Sequence, residues 1–86
     1  MRILAYERFR KSYQHLPHEI QLKVDKQLSL LADHPRHPSL RVKRIQGTVG
    51  LWEARVDLHY RMSFEMRGEA IYLRVVGHHD DVLKRP

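Results

Sequence analysis

The chain of 86 residues contains no cysteine, and none of its apolar stretches approaches the roughly 18 residues of a membrane-spanning helix. The absence of cysteine excludes both a disulfide framework and a thiolate metal site, and it fits a reducing compartment. The first residues, MRILAYERF, lack the apolar core of a signal peptide. These absences predict a cytoplasmic protein without a membrane partner.

Acidic residues are outnumbered in this sequence. It has 16 lysines and arginines against 10 aspartates and glutamates, which gives a formal net charge of +6. A positive charge of this size predicts an acidic partner, either nucleic acid or an acidic protein. The length allows one modest hydrophobic core and not two, so residues 1–86 are expected to form a single domain. The sequence contains no internal repeat, linker or low-complexity segment.

Residues 50–67, GLWEARVDLHYRMSFEMR, alternate apolar and polar side chains on both sides of a short polar break. This pattern predicts a β-hairpin. If Val56 lies opposite Tyr60, residues 57–59 form the loop and both apolar sets face one core. A shift of one residue would turn one of the two sets to the other face of the sheet, so this register is favoured.

The predicted register also places Arg55 directly across from Arg61 and Glu53 across from Ser63, on the uncovered face of the sheet. Like charges that lie directly opposite each other are unfavourable. The arginine pair therefore indicates a site for an anion. The alternative is that Arg55 and Arg61 are two solvated arginines on an exposed surface.

Apolar residues spaced three and four apart predict two helices, one on each side of Pro17. The residue before a proline avoids the helical region, and proline suits the first turn of a helix, so Pro17 separates them. The apolar stripes comprise Phe9, Tyr13 and Leu16 in the first helix, then Leu16, Ile20, Val24, Leu28 and Leu31 in the second. His34 and His37, in the proline-containing loop that follows, are interpreted as solvated residues rather than metal ligands.

The remaining segments are predicted strands at residues 2–6, 40–45 and 71–76, followed by a short basic tail at residues 82–86. The order is thus one strand, two helices and four strands. Helices that precede a run of strands are typical of an α+β fold. We expect the N-terminal strand and a two-helix hairpin to pack with a mainly antiparallel sheet, with both helices on one face.

The order and spacing of these segments resemble the RelE/ParE superfamily, the small basic toxins of type II toxin–antitoxin pairs. The matching segments are FRKSYQHLP, HPSLRVKRIQG, G-x-WEARV, YRMSF and a last strand ending in VVGHHDDVL, and they cover essentially the whole chain. The resemblance implies a RelE-like toxin fold and a cognate antitoxin that is acidic or disordered. It implies contact with operator DNA only through the antitoxin complex, and neither a cofactor nor a metal.

The resemblance also implies one of two targets. RelE-like members act as endoribonucleases on ribosome-bound mRNA, where the ribose 2′-hydroxyl attacks the adjacent phosphate without a metal. ParE-like members instead inhibit DNA gyrase by protein contacts. The RelE-like activity is favoured here. The alternatives are a gyrase-directed toxin and a degenerate member that binds only its antitoxin.

Four residues are predicted to be catalytic by their positions in the family pattern. Arg61 matches the phosphate-binding arginine, and Arg55 matches a basic residue on the neighbouring strand. His79 falls where members have an arginine or histidine, and histidine exchanges a proton near neutral pH. Glu53 falls where some members have lysine. Leu83 departs from the family, because several members carry an aromatic residue there and leucine can neither stack on a base nor transfer a proton.

Basic residues elsewhere in the pattern are predicted to contact RNA phosphates. They are Arg41, Lys43, Arg44, Arg74 and Lys84. Simpler interpretations stay open for several of the predicted site residues. His79 can be a surface histidine beside two aspartates, Glu53 can be an ion-pair partner of the two arginines, and residues 41–44 can be a solvated strand face.

Overall fold

The computed structural model describes residues 1–86 and has one five-stranded sheet with the strand order β1-β5-β4-β3-β2. Strand β1 runs parallel to β5, and every other pair is antiparallel. The elements are β1 (Arg2–Ala5), α1 (Glu7–Gln14), α2 (His18–Asp33), a 3-10 helix (Pro38–Leu40), β2 (Lys43–Arg44), β3 (Leu51–Arg55), β4 (Tyr60–Arg67), β5 (Ala70–His78) and α3 (His79–Lys84). The predicted α+β class is confirmed.

Helices α1 and α2 cover one face of the sheet and form the core with it. The predicted stripe of α2 is confirmed, because Ile20, Val24 and Leu31 are buried and Leu28 packs at the margin. No helix is long and apolar enough to cross a membrane. The buried apolar cluster comprises Phe9, Ile20, Val24, Leu31, Leu40, Ala54, Val56, Met62, Phe64, Ile71, Leu73 and Val76.

The β3–β4 hairpin has the predicted register. Arg55 pairs with Arg61 and Glu53 with Ser63, on the face that points away from α1 and α2. Asp57 closes the loop, because its Oδ1 accepts hydrogen bonds from the backbone N–H groups of His59 and Tyr60, both at 2.9 Å. A short acidic side chain that bonds to the backbone two or three residues on is a common turn device.

Strand β5 contains a bulge that the sequence did not predict. Ser63 pairs with Val75 and Phe64 with Leu73, so Arg74 is the extra residue. The bulge shifts the side-chain alternation by one position. As a result Leu73 and Val76, three residues apart, both point into the core.

The predicted strand at residues 40–45 is wrong over most of its length. Residues Pro38–Leu40 form a 3-10 helix, capped by His37 Nδ1, which accepts a hydrogen bond from the backbone N–H of Ser39. Arg41 then adopts a left-handed conformation with φ of 45°. This conformation turns the chain, so only Lys43 and Arg44 pair with β3.

The predicted basic tail is also wrong, because residues His79–Lys84 form helix α3. Aspartates in its first turn and Lys84 in its last turn complement the helix dipole. The segment lies across the sheet face that was expected to be uncovered. Val82 is 1% exposed there, and Ser63 Oγ donates a hydrogen bond to Pro86 O at 2.9 Å.

Candidate anion-binding site

A basic groove of about 320 Å³ lies beside the edge strand β2, on the sheet face opposite α1 and α2. We call it the arginine groove. The antiparallel pairing of β2, β3 and β4 brings its side chains together. The residues that line it are Arg41, Val42, Lys43, Glu53, Arg55 and Arg61. The arginine groove thus contains four cationic side chains and one carboxylate.

Arg61 is not the exposed arginine that the sequence predicted, since its side chain is only 12% exposed. Its Nη1 donates hydrogen bonds to the backbone carbonyls of Asp57 at 2.6 Å and Tyr60 at 3.0 Å. A longer bond of 3.3 Å reaches the carbonyl of Leu58. Nη2 has no acceptor in the protein. Arg61 therefore holds the β3–β4 loop with one terminal nitrogen and leaves the other for a ligand.

The pKa of Arg61 lies below its ordinary value, first because burial disfavours the charged form and then because Arg55 repels it. Arg41 repels it as well, whereas Glu53 and Asp57 favour the charge. Arginine stays protonated despite such shifts. The arginine groove therefore contains positive charge that a bound anion would stabilise.

Arg55 contributes an unsatisfied donor to the same groove. Its Nε is inaccessible to solvent and has no hydrogen-bond partner. A buried donor without a partner costs about 1–3 kcal/mol, so native structures rarely keep one without a reason. In this conformation neither water nor an anion reaches Nε, so the N–H group becomes a donor to a ligand only when the Arg55 side chain turns toward the groove.

Gln27 fixes the end of β3 and is a site residue that the sequence reasoning missed. Its Nε2 donates to the backbone carbonyl of Arg55 at 2.8 Å and to that of Ser39 at 3.3 Å. Gln27 is 6% exposed. The sequence indicates such a role only by the position of Gln27 on the buried stripe of α2, between Val24 and Leu31, because a polar residue there requires a buried partner.

Glu53 lies between the arginine groove and a second groove of about 290 Å³. Its side chain is 7% exposed, and Oε1 lies 3.6 Å from Arg61 Nε. No donor within hydrogen-bond distance satisfies its carboxylate. Leu83 of α3 forms part of the second groove, so the position where the resemblance implies an aromatic residue is adjacent to the site. The second groove is lined by Lys43, Arg44, Ile45, Gln46, Glu53 and Leu83.

His79 is close to the site but does not line the arginine groove. Its backbone N–H donates to the carbonyl of His59 at 2.8 Å, so it contacts the loop that Arg61 holds. Its Nε2 lies 3.3 Å from Asp80 Oδ1, and its Nδ1 is buried without a partner. Of the four predicted catalytic residues, Arg55, Arg61 and Glu53 share one groove and His79 lies beyond the loop.

The five predicted RNA-binding residues do not form one surface. Arg41 and Lys43 line the arginine groove. Arg44 lies over the ring of Trp52, with its guanidinium carbon 5.1 Å from the ring centroid, and lines the second groove. Arg74 and Lys84 do not line either groove, and Lys84 is exposed on α3.

Arg74 belongs to a separate network around Glu65. It pairs with Glu65 and donates from Nε to Pro86 O at 3.0 Å, while Tyr6 Oη donates to Glu65 at 3.2 Å. Burial alone would raise the pKa of Glu65, but the hydrogen bonds from Arg74 and Tyr6 and the charge of Arg67 hold it below its usual value. The network ties β4, β5 and the C-terminal segment together, and no local sequence pattern indicates it.

Comparison with solved structures assigns the fold to the RelE-like toxins. A chain of the RelB–RelE antitoxin–toxin complex from Methanococcus jannaschii is similar at a TM-score of 0.76 and 22% identity, over 96% of this chain and 99% of that chain. YafQ from E. coli strain BL21(DE3) is similar at a TM-score of 0.79 and 15% identity, over 95% of this chain and 98% of that chain. The YoeB/ParE toxin from Agrobacterium tumefaciens has a TM-score of 0.74 and 14% identity, over 92% of this chain and 99% of that chain.

The family model of the ParE toxin of the type II toxin–antitoxin system parDE matches residues 4–83. The chain therefore belongs to this family of toxins, and the predicted relationship to the RelE/ParE superfamily is confirmed. A search of curated protein sequences finds no match.

Proposed function

We propose that this toxin is an endoribonuclease that cleaves ribosome-bound mRNA and is neutralised by a cognate antitoxin. The observation that carries the proposal is the arginine pair in the groove. Arg55 Nε has no partner, and Arg61 Nη2 has no protein acceptor. Two guanidinium groups that line one groove fit the oxygens of a phosphodiester once Arg55 turns its unpaired Nε toward it.

In this proposal Arg55 and Arg61 bind the scissile phosphate and stabilise the charge that develops on its oxygens. Donors that are already in place cost no reorganisation during the reaction, so they stabilise the transition state efficiently. Arg61 is held by the carbonyls of Asp57 and Tyr60, and the end of β3 is held by Gln27. These contacts keep the two guanidinium groups oriented.

The proposed reaction is a transfer within the RNA. The 2′-oxygen forms a bond to phosphorus, and the bond from phosphorus to the 5′-oxygen of the next nucleotide breaks. Glu53 takes the proton of the 2′-hydroxyl, because its carboxylate lies in the same groove, 3.6 Å from Arg61 Nε. The departing 5′-oxygen takes a proton from His79, which does not line the groove and reaches that oxygen only if the RNA or the loop brings the two together. The products are a cyclic 2′,3′-phosphate and a free 5′-hydroxyl.

A cognate antitoxin is proposed as the protein partner. The similar structures include the RelB–RelE complexes of two archaea and of E. coli and the DinJ–YafQ complex of E. coli. The net charge of +6 favours an acidic antitoxin segment over the arginine groove. Co-expression with the product of the adjacent gene is expected to give a tight complex.

The test is to induce wild type and Arg55→Gln in cells and to map mRNA 5′ ends on ribosomes. Wild type is expected to arrest growth and to produce new 5′ ends within codons. Arg55→Gln is expected to lose both effects, whereas Arg36→Gln, a matched change in the exposed loop after α2, is expected to retain them. Growth arrest without new mRNA ends would contradict the ribonuclease proposal.

The second candidate is a non-enzymatic toxin that inhibits DNA gyrase. Two points favour it: the matching family model is that of a ParE toxin, and Leu83 lines the second groove at the position where the resemblance implies an aromatic residue. In that case induction produces filamentous cells with DNA-damage signalling, and Arg55→Gln remains toxic.

A further inference from the structure

Three adjacent side chains at the start of α3 bring metal-ligating atoms together. One ligand atom each from His78, His79 and Asp80 lies within 4.8 Å of the others. His78 Nδ1 is 4.0 Å from Asp80 Oδ2, and His79 Nε2 is 3.3 Å from Asp80 Oδ1. Two ligands of a tetrahedral zinc ion, each ~2.0–2.1 Å from it, lie roughly 3.3–3.5 Å apart. The largest separation in the group is thus up to about 1.5 Å greater than in a closed site.

The side chains are free to close this gap. The exposed fractions of the side chains of His78, His79 and Asp80 are 45%, 40% and 67%. No hydrogen bond holds the ring of His79, because its Nδ1 is buried without a partner. Nε2, which lies 3.3 Å from Asp80 Oδ1, is the ring nitrogen that faces the group, and rotation of the ring toward an ion breaks no hydrogen bond.

A third histidine lies next to the group. The ring of His59, on the β3–β4 loop, stacks on that of His78 at a centroid distance of 6.2 Å. The backbone bond from His79 N–H to the carbonyl of His59 holds this loop against the start of α3. His59 thus packs against the group without belonging to it, and water can complete the coordination of an ion there.

We propose that His78, His79 and Asp80 bind a divalent transition-metal ion of the zinc type. Two imidazoles with one carboxylate suit zinc, nickel or copper, whereas magnesium and calcium prefer sites made of oxygen ligands. The absence of cysteine excludes thiolate ligands. His78, His79 and Asp80 are consecutive in the sequence, but only the turn from β5 into α3 brings their ligand atoms close to one another.

This site has a functional consequence that rests on the proposed ribonuclease activity. An ion bound to His79 Nε2 occupies the nitrogen that would give a proton to the departing oxygen. Zinc binding is therefore expected to inhibit cleavage rather than to assist it. The ion would act as an external signal that switches the toxin off.

The binding test is calorimetric titration of the purified chain with zinc chloride and, separately, magnesium chloride. Wild type is expected to bind one zinc ion and no magnesium. The double variant His78→Gln/Asp80→Asn should bind zinc at least about 100-fold more weakly, because it keeps one of the three ligands and loss of an outer-shell partner alone costs roughly 10–100-fold. The matched control His34→Gln/His37→Gln keeps the wild-type affinity. Equal zinc affinity in wild type and His78→Gln/Asp80→Asn, or loss of binding only in the control, would overturn the proposal.

The activity test separates this inference from the proposed function. If wild type cleaves RNA, zinc should inhibit it at the concentration at which it binds, and His78→Gln should keep its activity in the presence of zinc. Inhibition of wild type and His78→Gln at the same zinc concentration would overturn the regulatory role. If wild type without metal does not cleave RNA, the ribonuclease proposal fails, while the zinc titration still decides whether the site exists.

Discussion

Arg61 Nε lies 3.6 Å from Glu53 Oε1, and the two side chains are only 12% and 7% exposed. They come from neighbouring strands and meet in the arginine groove. Burial of an ion pair is costly unless both partners are well satisfied. Arg61 is satisfied by loop carbonyls, whereas no donor within hydrogen-bond distance satisfies Glu53. The pair thus combines a cation that holds the loop with a carboxylate that accepts no hydrogen bond, and the proposed function assigns that carboxylate the role of base.

The first prediction concerns this double role of Arg61. Arg61→Ala removes the bonds to the carbonyls of Asp57 and Tyr60 as well as the phosphate ligand. We expect the free energy of unfolding to fall by about 1.5–3 kcal/mol, the value of hydrogen bonds to a charged group. We also expect cleavage to fall on the order of 10²-fold or more. Urea unfolding and cleavage rates measure the two effects.

Arg10→Ala is the control for Arg61→Ala, because the Arg10 side chain is 61% exposed and pairs only with Glu7. Its effect on stability should stay within about 0.5 kcal/mol. Arg61→Lys should recover part of the activity, since a single ammonium cannot bind two oxygens as a guanidinium does. An Arg61→Ala protein of wild-type stability would show that the loop contacts contribute nothing.

Glu53→Gln tests the proposed base. The amide keeps the shape of the side chain but cannot take a proton, so the cleavage rate is expected to fall by about 10²–10⁴-fold. RNA binding should not weaken, because the variant removes the one negative charge of the arginine groove. A gel-shift titration beside the cleavage assay separates the two quantities. Glu69→Gln, in the exposed turn before β5, should change neither, and an active Glu53→Gln protein would assign the base elsewhere.

The lowered pKa of Asp57 predicts that the free energy of unfolding depends on pH. Burial alone would raise the pKa of Asp57, but hydrogen bonds from the backbone of His59 and Tyr60 and from Lys23 lower it below its ordinary value. A carboxylate with a lowered pKa stabilises the fold above the unfolded pKa of ~3.9. This contribution is lost as the pH falls through the lower pKa of the folded state.

The measurement is urea unfolding of wild type and Asp57→Asn between pH 7 and pH 3. Wild type should be the more stable protein at pH 7, and the difference should shrink as the pH falls below about 4. Asp33→Asn, at the exposed end of α2, serves as the control. A difference that stays constant over this pH range would show that the charge of Asp57 does not contribute.

The sequence predicted the relative positions of Arg55 and Arg61, because a strand alternates strictly and the hairpin register fixes which residues face each other. It did not predict that Arg61 is buried. A long side chain can turn back onto the carbonyls of its own loop, and strand periodicity does not determine that conformation. The strand predicted at residues 40–45 failed for a similar reason, since the left-handed Arg41 interrupts an otherwise alternating pattern.

The same limit applies to contacts between distant parts of the chain. Arg74 is predicted to bind RNA, and the structure shows in addition that it contacts Glu65 and Pro86 beside the bulge, which the sequence does not indicate. Residues 82–86 were predicted to be a tail, although aspartates in the first turn of α3 and Lys84 in its last turn favour a helix. Gln27 had the clearest signal, a polar residue on an apolar stripe, and its role suggests the last prediction.

Gln27→Leu should weaken cleavage by disturbing the position of Arg55. The variant leaves the carbonyls of Arg55 and Ser39 without their donor, which is expected to cost about 1–3 kcal/mol of stability.

Gln21→Leu is a matched control on the same helix, because Gln21 Nε2 donates to the carbonyl of Tyr13 at 2.9 Å, away from the arginine groove. Both variants should lose stability, but only Gln27→Leu should lose cleavage rate when the two are compared under conditions where each is fully folded. Its kcat should fall more than its KM rises, since a displaced Arg55 stabilises the transition state poorly while the other cations still bind RNA. Equal cleavage by the two leucine variants would show that Gln27 supports the fold and does not position Arg55.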